Sequence, residues 1–387
     1  MKKIFSIVVV ALMVTALVLT GCQKKEAAPA AAAPAASSSS AAAFIGIAMP
    51  ETHVLRWIKD GNELKADFEK LGYTAEAQWA NADQSIQNGQ INAFLTQGAK
   101  GLVIGCVSDG VTSVVADAAR DNVVVVAYDR IIPNTTDYKY FLTFNNFKVG
   151  VLEAEGIVEG AKLNEGTAAN PKYITLFAGS PTDGNSFFFF DGAMSVLNPL
   201  IEKGGVKVIG PYPKTSKDTN AFQQIATENW TASIAKTRME NLLANDAREV
   251  VLDAVLSPND TLARAIVEAC KADAKYTSKL PAVSGQDCEA ASVAAIRDGT
   301  GQYSTVFKNT QKLAEAAAML VDQELKGQAI NIPGAEIATG DLKEIGNTGT
   351  GYVTTYLLDP VKITKANYKV PIDAGFFNEE ETKTYGF

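Results

Sequence analysis

Leu19-Thr20-Gly21-Cys22 places a cysteine directly behind an apolar run. In that arrangement the chain is cut before the cysteine, and its thiol and newly freed amino group are both acylated. Asp129-Arg130 follows the β-branched run Val123-Val124-Val125-Val126. A carboxylate and a guanidinium straight after a buried strand sit where ligands of open parallel sheets bind, whereas an exposed ion pair would contribute only about 0–1 kcal/mol. The other reactive side chains are sparse. Cys106, Cys270 and Cys288 are odd in number, so at least one thiol stays unpaired, and spacing alone leaves a Cys270–Cys288 bridge open. His53 is the single histidine, with no cysteine pair to build a zinc site and no identifiable nucleophile or acid partner. Gly346-Asn347-Thr348-Gly349-Thr350-Gly351 is glycine-rich but has the wrong spacing for a phosphate cradle, and no strand leads into it or helix out of it. No P-loop and no Gly-x-Ser-x-Gly elbow is present. These residues demand neither catalysis nor a cofactor.

The elements that must hold them begin with a leader. Lys2 and Lys3 precede a charge-free apolar run over 4–19, too short for a comfortable membrane span, which reads with Cys22 as a lipoprotein signal peptide over 1–21. Residues 22–43 then supply an acylated cysteine and a flexible Ala/Pro/Ser tether, whose composition offers almost nothing to bury against the entropy of ordering. The body from residue 44 exceeds the ~250–300 residues that one core usually serves, so two domains are expected. A net charge of −8 argues against nucleic acid and against an anionic membrane surface as partners.

Within the body, strand and helix signals alternate. Strands are expected over 44–49, 73–79, 101–106 and 123–127, with helices over 55–71, 83–97 and 111–120 between them. A second series opens with a strand over 141–144 and continues through strands near 173–177, 206–209, 249–256 and 281–284; one of its helices is placed over 230–243. Alternation of this kind builds α/β lobes with parallel sheets, and two in tandem leave a cleft between their strand ends.

Six segments in order carry a resemblance: Arg56-Trp57-Ile58-Lys59-Asp60-Gly61, Ala127-Tyr128-Asp129-Arg130, Phe144-Asn145-Asn146-Phe147-Lys148-Val149-Gly150, Asp191-Gly192-Ala193-Met194, Leu256-Ser257-Pro258-Asn259-Asp260 and Ser284-Gly285-Gln286-Asp287. The chain resembles the bacterial sugar-binding lipoproteins and periplasmic receptors for xylose, galactose and multiple monosaccharides, over essentially the whole of 44–387. The resemblance implies a periplasmic binding protein-like fold of two Rossmann-like parallel-sheet lobes joined by a three-crossing hinge. It divides the chain into one lobe of 44–132 plus 310–330 and another of 133–309 plus 350–387. It also implies a monomer without catalysis that passes its ligand to an ABC permease, with a chemoreceptor as a further partner. Unlike the galactose receptor of that family, the chain has no calcium loop, and 326–351 aligns poorly.

A pyranose presents many hydroxyls and an apolar ring face, so its pocket needs multivalent polar side chains and aromatic platforms. The positions matched by the resemblance supply both. Asp129 and Asp287 accept hydroxyls, Arg56 and Arg130 donate from rigid forks, Asn185 and Asn259 do both, and Lys308 donates beside a hinge crossing. Trp57 and Trp230 are the platforms. Asp183 is a lesser candidate beside Asn185, and some of the four phenylalanines Phe187 to Phe190 must lie near the cleft or at an interlobe contact, since one helix face cannot take them all. Competing structural roles are an Arg56–Asp60 pair at i+4, Asp287 as a cap for the helix through 292–296, and Trp230 as core. A transport receptor and a purely sensing module for a nucleoside or polyol remain the two functional classes. The export signal separates them from a cytoplasmic regulator.

Overall fold

The computed structural model describes residues 42–387; the leader, Cys22 and nearly all of the tether lie outside the described residues. The first sheet is built from β1 (Phe44–Met49), β2 (Thr74–Trp79), β3 (Gly101–Ile104), β4 (Val124–Tyr128) and β5 (Tyr140–Phe144), with α1 (Arg56–Lys70), α2 (Gln84–Thr96) and α3 (Thr112–Arg120) as crossovers. The chain then enters α4 (Asn146–Ala161), followed by β6 (Lys172–Leu176), α5 (Gly184–Glu202), β7 (Val206–Val208), α6 (Thr219–Ile225), α7 (Ala232–Ala244), β8 (Ala254–Leu256), α8 (Asp260–Ala272), β9 (Ala282–Val283) and α9 (Ala290–Asp298). It returns through β10 (Thr305–Phe307) to α10 (Thr310–Leu325), β11 (Ala335–Ile337) and β12 (Thr354–Leu358), and finishes with β13 (Val361–Ile363), α11 (Lys369–Asp373) and α12 (Glu379–Tyr385).

The strand order is β11-β12-β5-β4-β3-β1-β2 in the first sheet and β7-β6-β8-β9 in the second, with β10 and β13 forming a two-stranded antiparallel ribbon. All pairs in the two sheets are parallel except β11 with β12. Strands such as β3, four residues buried along their whole length, need helices on both faces and get them.

Two expected boundaries are corrected. The strand over 141–144 does not open the second lobe: Tyr140 lies against Val126, Phe141 against Ala127 and Leu142 against Tyr128, so β5 extends the first sheet. β12, expected in the second lobe, pairs with β5 in parallel register. An apolar run buried on both faces must lie inside a sheet, and the open edge beside β4 is the nearest that can take it. The first lobe is therefore 44–144 plus 310–358, which also absorbs the segment 326–351. The chain passes between lobes three times, at Asn145, at Lys308-Asn309 and at Asp359-Pro360. Asn145 and Asn309 have near-identical backbone angles and each caps the helix beyond it, accepting from Lys148 N and Lys312 N. The three thiols Cys106, Cys270 and Cys288 are all buried and free, so the Cys270–Cys288 bridge does not form.

Two glycines bring α4 and α5 into backbone contact. A Cβ on Gly150 would lie 1.8 Å from the Phe189 carbonyl oxygen, and one on Gly192 would lie 2.0 Å from that of Phe147. No larger residue fits there without separating the helices.

Candidate functional site

Parallel strands end in backbone groups that feed the next helix, so the residue just past each strand is held in place by both elements. Arg56 and Trp57 open α1; Asp129 and Arg130 follow β4; Asn259 caps α8 after β8; Gln286 and Asp287 follow β9; Lys308 follows β10. Asp183 caps α5, placing Asn185 in its first turn and Phe189 one turn further on. Thirteen side chains line one cavity: Val54, Arg56, Trp57, Asp129, Arg130, Asp183, Asn185, Phe189, Trp230, Asn259, Gln286, Asp287 and Lys308. All nine residues matched by the resemblance are among them. Phe189 faces the cleft and Phe188 packs across it against the first lobe's apolar cluster, whereas Phe187 and Phe190 pack on Phe222 inside the second lobe. Val54 and Gln286 were not anticipated. Gln286 was legible as the neighbour of Asp287; Val54, an apolar residue in a loop, carried no signal.

The polar groups form a charged lattice that spans the cleft. Arg56 Nη2 is 2.7 Å from Asp60, and its Nη1 is 2.9 Å from Asp129 and 3.6 Å from Asp287 in the other lobe. Arg56 thus takes both its helical partner and the cleft carboxylates. Arg130 reaches Glu51 at 3.0 Å and Asp183 of the opposite lobe at 3.0 Å, while Lys308 Nζ is 2.9 Å from Asp287. The Asn185 amide donates to the Asp129 carbonyl oxygen at 2.8 Å and accepts from Asn146 at 2.7 Å. The Trp57 ring lies 4.8 Å from the Arg56 guanidinium carbon and 5.0 Å from that of Arg130. Trp57 Nε1 and Gln286 Oε1 are buried without a hydrogen-bond partner among the described residues.

Burial opposes ionisation of Asp129, but Arg56, Lys308 and Arg130 around it hold its carboxyl below the ordinary value. Burial prevails at Asp60 and Asp183, whose carboxyls are pushed up despite Arg56 and Arg130. The helix α9 is preceded by Glu289 rather than capped by Asp287, leaving that carboxylate to the cavity. Trp230 does not start a helix either. It ends a short turn, Glu228–Trp230, ahead of α7, which begins at Ala232.

Asp129, Trp230 and Asp287 have φ of 61°, 55° and 92°, in the left-handed region that side chains other than glycine, asparagine and aspartate seldom adopt. Three such residues lining one cavity are a usual mark of a functional site, since such conformations persist only where surrounding contacts enforce them.

The family model of the periplasmic binding protein domain matches residues 45–329. The chain belongs to that family. It is 38% identical over 343 residues to the multiple sugar-binding periplasmic receptor ChvE of Rhizobium radiobacter, covering 88% of this chain and 92% of that protein. It is 32% identical over 339 residues to the D-xylose-binding periplasmic protein of Escherichia coli strain K12, covering 87% and 92%. Among solved structures, an ABC transporter solute binding protein from Clostridium phytofermentans with bound β-D-glucose is 35% identical, with a TM-score of 0.76 over 87% of this chain and 99% of that one. Members of this family with such names are receptors, and the two parallel-sheet lobes described above are the family's fold.

Proposed function

We propose that the protein captures a neutral monosaccharide, an aldopyranose such as xylose, glucose or galactose, between its closing lobes and delivers it to an ABC importer. The observation that carries this reading is the convergence, from both lobes, of carboxylates, guanidinium forks, amides and two indoles on one cavity. The relatives named for multiple sugars and for D-xylose, and the neighbour holding β-D-glucose, support the same class of ligand.

Only a closed arrangement lets Asp129 and Arg56 of one lobe and Asn185, Trp230 and Asp287 of the other touch the same ring, so ligand shifts the population towards closure. A thermal-shift panel of monosaccharides and nucleosides should pick out an aldopyranose. Small-angle scattering of the soluble body should then give a smaller radius of gyration at saturation. Preference for a nucleoside, or an unchanged radius with the best ligand, would refute the reading.

The protein acts in this reading as an exported monomer tethered by a lipid on Cys22, at the periplasmic face of the inner membrane or at the cell surface. No helix of the described residues is long and apolar enough to cross a membrane. Cys22→Ser should therefore abolish cleavage at that site and release the protein from the membrane fraction when the chain is expressed from Met1. Normal processing and retention of the serine variant would remove the anchor from the account.

A further inference from the structure

Asp183 touches more of the site than any sugar-matching argument assigned to it. One carboxylate oxygen accepts from Asn185 N at 3.0 Å, fixing the start of α5. The other accepts from Trp230 Nε1 at 3.2 Å and faces Arg130 Nε at 3.0 Å. Two of the roughly four acceptor positions of a carboxylate are therefore taken by hydrogen bonds from the protein itself, and the Arg130 ion pair occupies a further side of it. Asp183 is also 5% exposed, so little water competes for it.

Two of these partners are themselves held. The far edge of the Trp230 indole lies against Gly179, where a Cβ would come within 2.1 Å of Cη2, so the ring has no room to slide away from Asp183. Arg130 belongs to the opposite lobe, is braced by Glu51, and lies against the Trp57 ring. The result is a chain of contacts running Trp57, Arg130, Asp183, Trp230, from one indole to the other across the cleft.

We propose that Asp183 is a positioning residue rather than a hydroxyl acceptor: it locks the Trp230 indole to the Arg130 guanidinium of the other lobe, so that closure and ring stacking form as one event. The proposal rests on the sugar-site reading for its consequence; the Asp183–Trp230 contact lies within one lobe and does not need closure, whereas the Arg130 contact forms as the lobes meet. Losing the carboxylate frees the indole and unties the lobes together.

The protein labelled with 5-fluorotryptophan gives three fluorine resonances, one per tryptophan, assigned by single Trp→Phe variants. In ligand-free Asp183→Ala the Trp230 resonance should shift or broaden while that of Trp79 stays. Asp183→Asn, which keeps the shape and one acceptor, should restore it in part. With the best sugar of the panel, Asp183→Ala should bind about 10- to 100-fold more weakly. The double variant Asp183→Ala/Trp230→Phe should lose no more than about twofold beyond the worse single. An unmoved Trp230 resonance in the free protein overturns the proposal, as do single losses that multiply in the double variant, the sign of a direct and independent hydroxyl contact. If the unmodified protein binds no sugar, the functional reading fails by itself, and the fluorine spectra still decide whether Asp183 holds the Trp230 indole.

Discussion

Asp129→Asn is expected to weaken binding of the preferred sugar roughly 30- to 1,000-fold, about 2–4 kcal/mol. Asparagine is the informative substitution because Asp129 has φ 61°, which asparagine tolerates and alanine does not, so backbone strain is not confounded with lost contacts. The carboxylate is 4% exposed and lies 2.9 Å from Arg56, at an angle that leaves its Oδ2 without a formal hydrogen bond. That oxygen is free to take a hydroxyl. Had the residue been an exposed partner of Arg130, its loss would cost only ~0–1 kcal/mol. Calorimetry on the variant, with the ligand-free melting temperature as a control, separates the two; binding within about threefold of the parent protein would remove Asp129 from the site. The sign of the pH dependence follows from its depressed folded value. The stabilisation is present above the unfolded value near 3.9 and is lost as pH falls through the lower folded one, so it is intact at neutral and mildly acid pH.

Arg56→Met should have the largest effect on stability, about 3–5 kcal/mol, because it removes the cation from three carboxylates at once. Asp60 is wholly buried, and burial already pushes its carboxyl up with Arg56 in place. Without the guanidinium it is pushed higher, so between the unfolded value and the folded one the native state binds more protons than the unfolded chain, and stability falls as pH rises through that window. The melting deficit of Arg56→Met should therefore be greatest near pH 7 and shrink towards pH 5. A deficit independent of pH, or none, would show that Asp60 does not depend on Arg56.

Much of this site was legible because its chemistry sits at strand ends, where an apolar run stops and a polar pair begins. Asp129-Arg130 after β4 and Asn259 after β8 can be read that way. What the sequence hides is which sheet claims a strand. Tyr140–Phe144 is equally apolar whichever lobe it joins, and only the open edge beside β4 decides. Local conformation is hidden too: nothing in Glu228-Asn229-Trp230 announces two successive left-handed residues, so a helix start was the natural reading. Asp60 and Asp183 were underrated for a shared reason. Their partners come from distant segments or play two roles at once, and one-dimensional spacing registers a single partner at a time.

The contact between α4 and α5 has a mechanical consequence. α4 starts immediately after the first crossing, and α5 carries Asp183, Asn185 and Phe189. The helices meet backbone to backbone through Gly150 and Gly192, and a hydrogen bond from Asn146 to Asn185 ties their tips. A joint cushioned by long side chains would absorb part of any rotation by repacking; this one has nothing to compress. A pair so joined should move as one body, and a turn of a few degrees at Asn145 should then arrive undiminished at Asp183, Asn185 and Phe189.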